Sequence, residues 1–337
     1  MRRRHATTVQ LGPTTPEIFF DRRQFVSALG LGLFAAASAN CQSTEKSAKR
    51  SPLDLPFERP DVFPAKRNEK VVLPAGLPTQ LTDRLVAATH NNFYEFLPGR
   101  GGPAWEHTEK FEVVPWQVEV VGECAKPRTF DLDDLFAFPH EERLYHFRCV
   151  ERWAMNVPWS GFQLSRLLEA VEPTSNAKYV RFLSANKPEQ MPGIREAHWY
   201  PWPYFEGLRL DEAMNELAFV ATGIYGAPLP KQHGAPVRIV VPWKYGYKNP
   251  KSIVRIELAR EEPKIFWQVQ QHEYGFLSNV NPFIPHPRWS QAESFWLGSQ
   301  EKFETPIFNG YAEQVAHLYP DEPRTLQRPL QPGQIAR

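Results

Sequence analysis

The chain has 337 residues, with 39 Lys plus Arg against 38 Asp plus Glu, 42% hydrophobic positions, 33 prolines and three cysteines. A net charge of +1 excludes a nucleic-acid binder held by a broad basic surface, because neutralising phosphates needs many uncompensated cations. The proline count, about twice the usual roughly 5%, argues against a helix bundle, and three cysteines cannot form a disulfide framework, so stability has to come from burial.

Arg22 and Arg23 precede a stretch of 15 mostly apolar residues, Phe25 to Ala39. That is short of the about 20 residues a bilayer span needs, and Ala37-Ser38-Ala39 has the small-residue order of a signal-peptide cleavage site. The paired arginines before a Gly- and Ala-rich segment match a twin-arginine signal, so residues 1–39 are expected to direct the folded protein through the twin-arginine export machinery to the periplasm, with cleavage near Ala39. Cys41 leaves a lipidated form open. Residues 40–80 are polar, Lys-rich and Pro-rich without sustained periodicity, which predicts a tether or surface arm.

Residues 81–337 read as one catalytic-sized domain. Alternation over Trp116 to Gly122 and Ser252 to Leu258, and β-branched or aromatic runs over Tyr179 to Leu183 and Val237 to Val241, predict strands. Pro158-Trp159-Ser160-Gly161 is expected as a turn, followed by a short helix whose apolar face is Leu164, Leu167, Leu168 and Val171. Asp131 is placed to cap a helix through Leu135, and Asp211 another through Leu217. The irregular order of strands and helices predicts an α+β fold with mixed β-sheets, short helices and many loops.

Cys149 sits in Tyr145-His146-Phe147-Arg148-Cys149-Val150-Glu151-Arg152-Trp153. Two guanidinium groups and an imidazole so near in sequence are expected to favour its thiolate, the form that attacks electrophiles or ligates a soft metal. An inert core cysteine is the alternative, although a free thiol in an oxidising compartment is at risk unless something occupies it. Zinc fails on spacing: no Cys-x-x-Cys and no His-Glu-x-x-His occurs. A cysteine-protease pairing with His146 or His233 has no supporting signature, and Cys124 reads as structural. One thiolate suits a metal whose other ligands belong to a cofactor.

From Leu217 through Ile256 there is no Asp or Glu, yet Lys231, Arg238, Lys244, Lys248, Lys251 and Arg255 are present. These cations are expected to be uncompensated and to hold an organic phosphate, with Gly226, Gly234 and Gly246 bringing backbone N–H groups close. Asn91-Asn92-Phe93-Tyr94-Glu95-Phe96 interleaves polar groups with aromatics, a run able to line a flat heteroaromatic ligand or to form a capped surface turn.

Together with Pro173-Thr174-Ser175-Asn176, Pro188-Glu189-Gln190-Met191-Pro192-Gly193, Gly207-Leu208-Arg209-Leu210-Asp211-Glu212, Val241-Pro242-Trp243-Lys244-Tyr245-Gly246 and His286-Pro287-Arg288-Trp289-Ser290-Gln291, these clusters resemble a known family. It is the catalytic subunit of the periplasmic molybdopterin-dependent protein-methionine-sulfoxide reductases (MsrP/YedY), on a sulfite oxidase-like fold. The resemblance implies a Mo-molybdopterin cofactor, with Cys149 as the protein ligand to molybdenum. It places Asn91, Tyr94, Glu95, Ser184, His233, Arg238 and the Asn249-Pro250-Lys251 segment around the pterin. Ser184 and His233 stand where close members carry threonine and asparagine, and Pro250 has no backbone N–H to donate.

The implied activity is reduction of methionine sulfoxide, free or in oxidised periplasmic proteins, with electrons from a membrane haem-containing partner. No Cys-x-x-Cys-His haem motif or iron–sulfur cysteine set occurs in the chain itself. Alternatives are a sulfite oxidase-like enzyme acting on another S- or N-oxide, and a non-enzymatic periplasmic binding protein on the same scaffold.

Overall fold

The computed structural model describes residues 50–97 and 102–336; the twin-arginine segment, its cleavage motif and Cys41 lie outside them. In chain order the strands are β1 (Gln117–Gly122), β2 (Arg128–Asp131), β3 (Glu141–Arg148), β4 (Trp153–Gln163), β5 (Tyr179–Ser184), β6 (Phe205–Arg209), β7 (Phe219–Ile224), β8 (Ala227–Pro228), β9 (Arg238–Val240), β10 (Ile253–Ala259), β11 (Glu293–Trp296) and β12 (Lys302–Glu304). The α-helices are short: α1 (Arg84–Thr89), α2 (Leu132–Phe136), α3 (Leu164–Glu169), α4 (Pro192–Glu196), α5 (Leu210–Ala213) and α6 (Ala312–Val315).

Two mixed sheets carry the core. The five-stranded one runs β2-β1-β10-β5-β6, with β1 and β10 parallel and the other pairs antiparallel. The seven-stranded one runs β12-β11-β4-β7-β8, with β3 paired to β4 and β9 to β7. Alternation in sequence becomes alternation in burial: Val118 and Val120 of β1 are buried while Gln117 is exposed. Leu164, Leu167, Leu168 and Val171 are all fully buried beneath α3, and Asp131 accepts the Asp134 N–H at 2.8 Å in a capping box on α2.

Two expectations are corrected. Pro158 to Gly161 form no turn but lie inside the 11-residue β4. Pro158 sits opposite Leu144 of β3, and its carbonyl accepts the Tyr225 N–H at 3.0 Å, so the missing donor is no obstacle. Gly161 is there for room, since a Cβ would come within 1.9 Å of the Val220 carbonyl oxygen. Asp211 does not cap a helix through Leu217: α5 is four residues long and begins one residue earlier, and the Glu212 carboxylate accepts the Arg209 N–H at 2.8 Å.

Residues 50–82 contain no helix or strand and are strapped across the body by side-chain hydrogen bonds. Gln232 Nε2 donates to the Pro52 carbonyl at 2.6 Å, Asn68 Nδ2 to Glu141 at 2.7 Å, and buried Asn156 Nδ2 to the carbonyls of Pro78 and Gln80 at 2.7 and 3.0 Å. Asp83 then caps α1, which delivers the chain into Asn91–Leu97. That loop is pinned by Gly193 of α4, whose N–H donates to the Glu95 carbonyl at 2.7 Å.

A Cβ on Gly193 would lie 2.1 Å from the Tyr94 carbonyl oxygen and 2.3 Å from that of Glu95. Gly193→Ala is therefore expected to destabilise the protein by about 1–3 kcal/mol, read as a lower midpoint in chemical denaturation. An unchanged midpoint would show that the loop yields at no cost.

Candidate active site

β3 and β4 form a hairpin whose loop is Cys149-Val150-Glu151-Arg152. The Cys149 N–H donates to the Trp153 carbonyl at 3.0 Å and the Arg152 N–H to the Cys149 carbonyl at 2.9 Å, with Arg152 at φ +80° closing the turn. Arg148 donates to the Cys149 carbonyl and, at 2.9 Å, to Ser294 Oγ. Trp289 Nε1 and Gln291 Nε2 both donate to the Val150 carbonyl at 2.9 Å. Phe147, Trp153 and Met155, set on one face of β3 and β4 by the side-chain period of two, and Cys149, Val150 and Glu151 of the loop form one wall of a cavity. His146 lies among Asn156, Trp296 and Phe303 instead, and Arg148 reaches Ser294.

The cavity opens to solvent and, counting that open space, spans about 790 Å³. Asn91, Asn92, Tyr94 and Glu95 form a second wall, His233, Arg238 and Lys251 a third, and Tyr204, Tyr247, Trp267 and Tyr274 an aromatic flank. Asn92 Nδ2 reaches Cys149 Sγ at 3.7 Å and donates to Glu151 Oε2 at 2.9 Å, and Trp153 Nε1 donates to the same oxygen at 3.1 Å.

The expectation of a thiolate favoured by neighbouring cations is overturned for the protein alone. Burial, then the Glu151 carboxylate, push the Cys149 thiol well above its ordinary range. Arg148 and Asn92 oppose this only in part. Arg152 is no help, because it turns outward to the Glu293 carbonyl at 3.1 Å. The thiol proton is therefore held until a metal displaces it. Burial also raises the Glu151 carboxyl.

The acid-free stretch is likewise not uncompensated, because its partners come from distant segments. Lys244 Nζ pairs with Glu212 and Lys248 Nζ with Glu206, both at 2.6 Å with all four side chains buried, and Arg255 pairs with Glu119 at 2.7 Å. Lys231 donates to the Glu109 carbonyl at 2.9 Å. Only Arg238 and Lys251 of the six face the cavity. Arg238 donates to the carbonyls of His233 and Asn249 at 2.9 and 3.3 Å, and burial lowers Lys251 while the Glu95 charge supports it.

Of the sequence-predicted site residues, Cys149, Asn91, Tyr94, Glu95, His233, Arg238 and Lys251 line one cavity. Ser184, Asn249 and Pro250 do not. Ser184 Oγ is buried without a hydrogen-bond partner at the end of β5, the Asn249 side chain donates to the carbonyls of Tyr245 and Gly246 at 3.2 Å, and the Pro250 carbonyl accepts the Ile239 N–H at 3.0 Å. Sequence reasoning missed Tyr247, Trp267 and Tyr274 as lining residues. The aromatics gave no signal, being dispersed over the sequence, whereas Phe147, Trp153 and Met155 follow from continuing the alternation through Cys149.

The donor set fits a pterin-held metal. Among the described residues no three His, Cys, Asp or Glu come together as a metal-binding group, so Cys149 needs partners from elsewhere. Asn91 Oδ1 is a buried acceptor without a partner, beside Asn91 Nδ2 at 3.2 Å from His233 Nδ1. Asn91, His233, Arg238 and Lys251 are placed to hold a polar, anionic heteroaromatic ligand, and Cys149 to hold its metal.

Two tests follow. Lys248→Ala should cost about 3–5 kcal/mol of stability, since it strands the buried Glu206 carboxylate, and denaturation in urea will show it; a cost near zero would return Lys248 to the role of a free cation. Burial holds His146 down to about 4, below its ordinary value of 6.5. The unfolded chain then binds a proton that the folded one refuses, so stability should fall as pH drops from 6.5 toward 4. His146→Gln should flatten that part of the Tm profile, and an unaltered slope would refute the assignment.

Residues 106–267 match the family model of the oxidoreductase molybdopterin binding domain. That range contains Cys149, His233, Arg238 and Lys251, while Asn91–Glu95 join them from outside it. Among solved structures, the sulfane dehydrogenase SoxCD from Paracoccus pantotrophus is similar at 19% identity and a TM-score of 0.40, over 63% of this chain and 58% of that one. The match over residues 106–267 and the single-thiol, anion-receptive cavity agree on a molybdopterin-binding oxidoreductase domain with Mo-molybdopterin as its cofactor.

Proposed function

We propose that the protein is an exported oxidoreductase that removes oxygen from methionine sulfoxide, free or within proteins, in the MsrP/YedY manner. The net change is cleavage of the S–O bond with two electrons and two protons, giving the thioether and water. Electrons come singly from a membrane haem-containing partner. Arg22-Arg23 supports twin-arginine export, and hence action in the periplasm.

The observation that carries this reading is how the cations nearest Cys149 are committed. Arg148 is buried against Ser294 and backbone, Arg152 faces Glu293, and Arg288 pairs with Glu273 at 2.7 Å. Arg238 and Lys251, the two cations of the cavity wall, are the ones the pterin phosphate would take up. A doubly charged oxyanion such as sulfite would meet the Glu151 carboxyl and aromatic rings instead of a waiting guanidinium. A neutral sulfoxide suits that wall, where Trp153, Trp267 and Tyr274 offer ring contacts to sulfur.

Molybdenum held by a pterin dithiolene supplies oxygen-atom and electron-pair chemistry when bound. The chain contributes the Cys149 thiolate as its ligand. Arg238 and Lys251 answer the negative charge of the pterin phosphate, and Asn91 and His233 offer it hydrogen bonds. Asn92 and Trp153 fix the Glu151 carboxyl beside the sulfur.

Purified, metal-loaded protein assayed with methionine sulfoxide, sulfite and trimethylamine oxide should turn over the sulfoxide in preference. Failure with every sulfoxide sinks the proposal. Cys149→Ser should abolish turnover while the Tm of the metal-free protein hardly changes; retained activity would mean another ligand does the work.

A further inference from the structure

Trp199 is an exposed aromatic, with 58% of its surface open to solvent. It is also the outer end of a continuous file of rings. Its centroid lies 6.0 Å from that of Tyr200, which lies 5.8 Å from Trp267, which lies 5.3 Å from Tyr94 and 5.1 Å from Tyr274. The last three line the cavity together with Cys149. The loop that carries Trp199 and Tyr200 is stiffened by Pro201 and Pro203 and by Trp202 Nε1 donating to the Ala197 carbonyl at 2.8 Å.

We propose that this file is a single-electron path between the cavity and the surface, with Trp199 as its outer terminal for a one-electron carrier that need not enter the cavity. Indole and phenol rings are the side chains most readily oxidised by one electron, and ring contact gives the electronic coupling that a gap would lose. A second file from Tyr274 passes through His286 to Trp289, at 5.7 and 3.9 Å, but imidazole is harder to oxidise and interrupts it. The biological use of the path rests on the redox function proposed above; the path itself does not.

In the oxidising direction the steps balance. An outside oxidant takes one electron from the Trp199 indole and is reduced by one. Tyr200 refills Trp199 as its phenolic proton passes to solvent, Trp267 refills Tyr200 as a proton returns from solvent, and Tyr274 or Tyr94 refills Trp267 and gives its own proton to solvent through the open cavity.

The test uses full-length, metal-loaded protein illuminated with a ruthenium polypyridyl complex and a cobalt(III) pentaammine acceptor, an oxidant too bulky to enter the cavity. Peptide mapping by mass spectrometry should find oxidation at Trp199 and also at Tyr274 or Tyr94. Tyr200→Phe keeps the ring but breaks the path, and should lower the cavity-wall yield about tenfold, as one added step of about 1.4 kcal/mol in barrier would, while Trp199 stays oxidised. Trp199→Phe should lower it similarly. Cavity-wall oxidation undiminished in Tyr200→Phe, or absent in the unaltered protein while Trp199 is oxidised, overturns the path. The sulfoxide assay with a small diffusing reductant is read separately, so either idea can fail alone.

Discussion

The position of one sulfur depends on carbonyl groups that are already spoken for. In the loop between β3 and β4, the Cys149 carbonyl takes the Arg152 N–H and the Arg148 guanidinium, and the Val150 carbonyl takes both Trp289 and Gln291. A buried polar backbone group left unmatched costs about 1–3 kcal/mol, so the loop has few other conformations open to it. Arg148 is the expensive member: burial lowers it to about 10, yet at neutral pH it stays charged, held by hydroxyl and carbonyl acceptors and by the Tyr245 ring at 5.5 Å. Its charge serves the loop's geometry more than the thiol's ionisation.

The wall carrying Arg238 and Lys251 is fixed by a related device. Lys244 and Lys248 tie the segment between β9 and β10 to Glu212 and Glu206, so that α5 and β6 brace the loop from behind. Tyr319 and Asn279 complete the first pair, and the Gly207 carbonyl the second. Such pairs add little net stability compared with apolar packing, but they fix register, because displacing either partner strands the other in the core. Two cations are thus spent on architecture and two remain for the ligand.

What the sequence disclosed, and what it hid, follows the range of the interactions. Strands β1, β5, β9 and β10 are visible in the alternation of Val118 and Val120, or of Val180 and Phe182, because that signal is local. Pro158 and Gly161 mislead because their turn preference yields to pairing with β3 and to the close passage of the Val220 carbonyl. Asp211 misleads because capping geometry turns on an offset of only two residues, the cap falling at Arg209. The ion pairs of Lys244 and Lys248 are invisible, since their acids lie more than 30 residues upstream. The cavity itself was legible through Cys149, Asn91, Glu95, His233, Arg238 and Lys251, and its aromatic flank was not.

The strap over residues 50–82 and the wall at Asn91–Glu95 are one uninterrupted run of chain, joined through α1. Pull on Asn156, whose amide holds Pro78 and Gln80, and the slack arrives at the Asn91–Glu95 wall of the pocket. A lesion far upstream would therefore masquerade as a maturation defect: abundant polypeptide, poorly retained cofactor, and no altered residue anywhere near the sulfur.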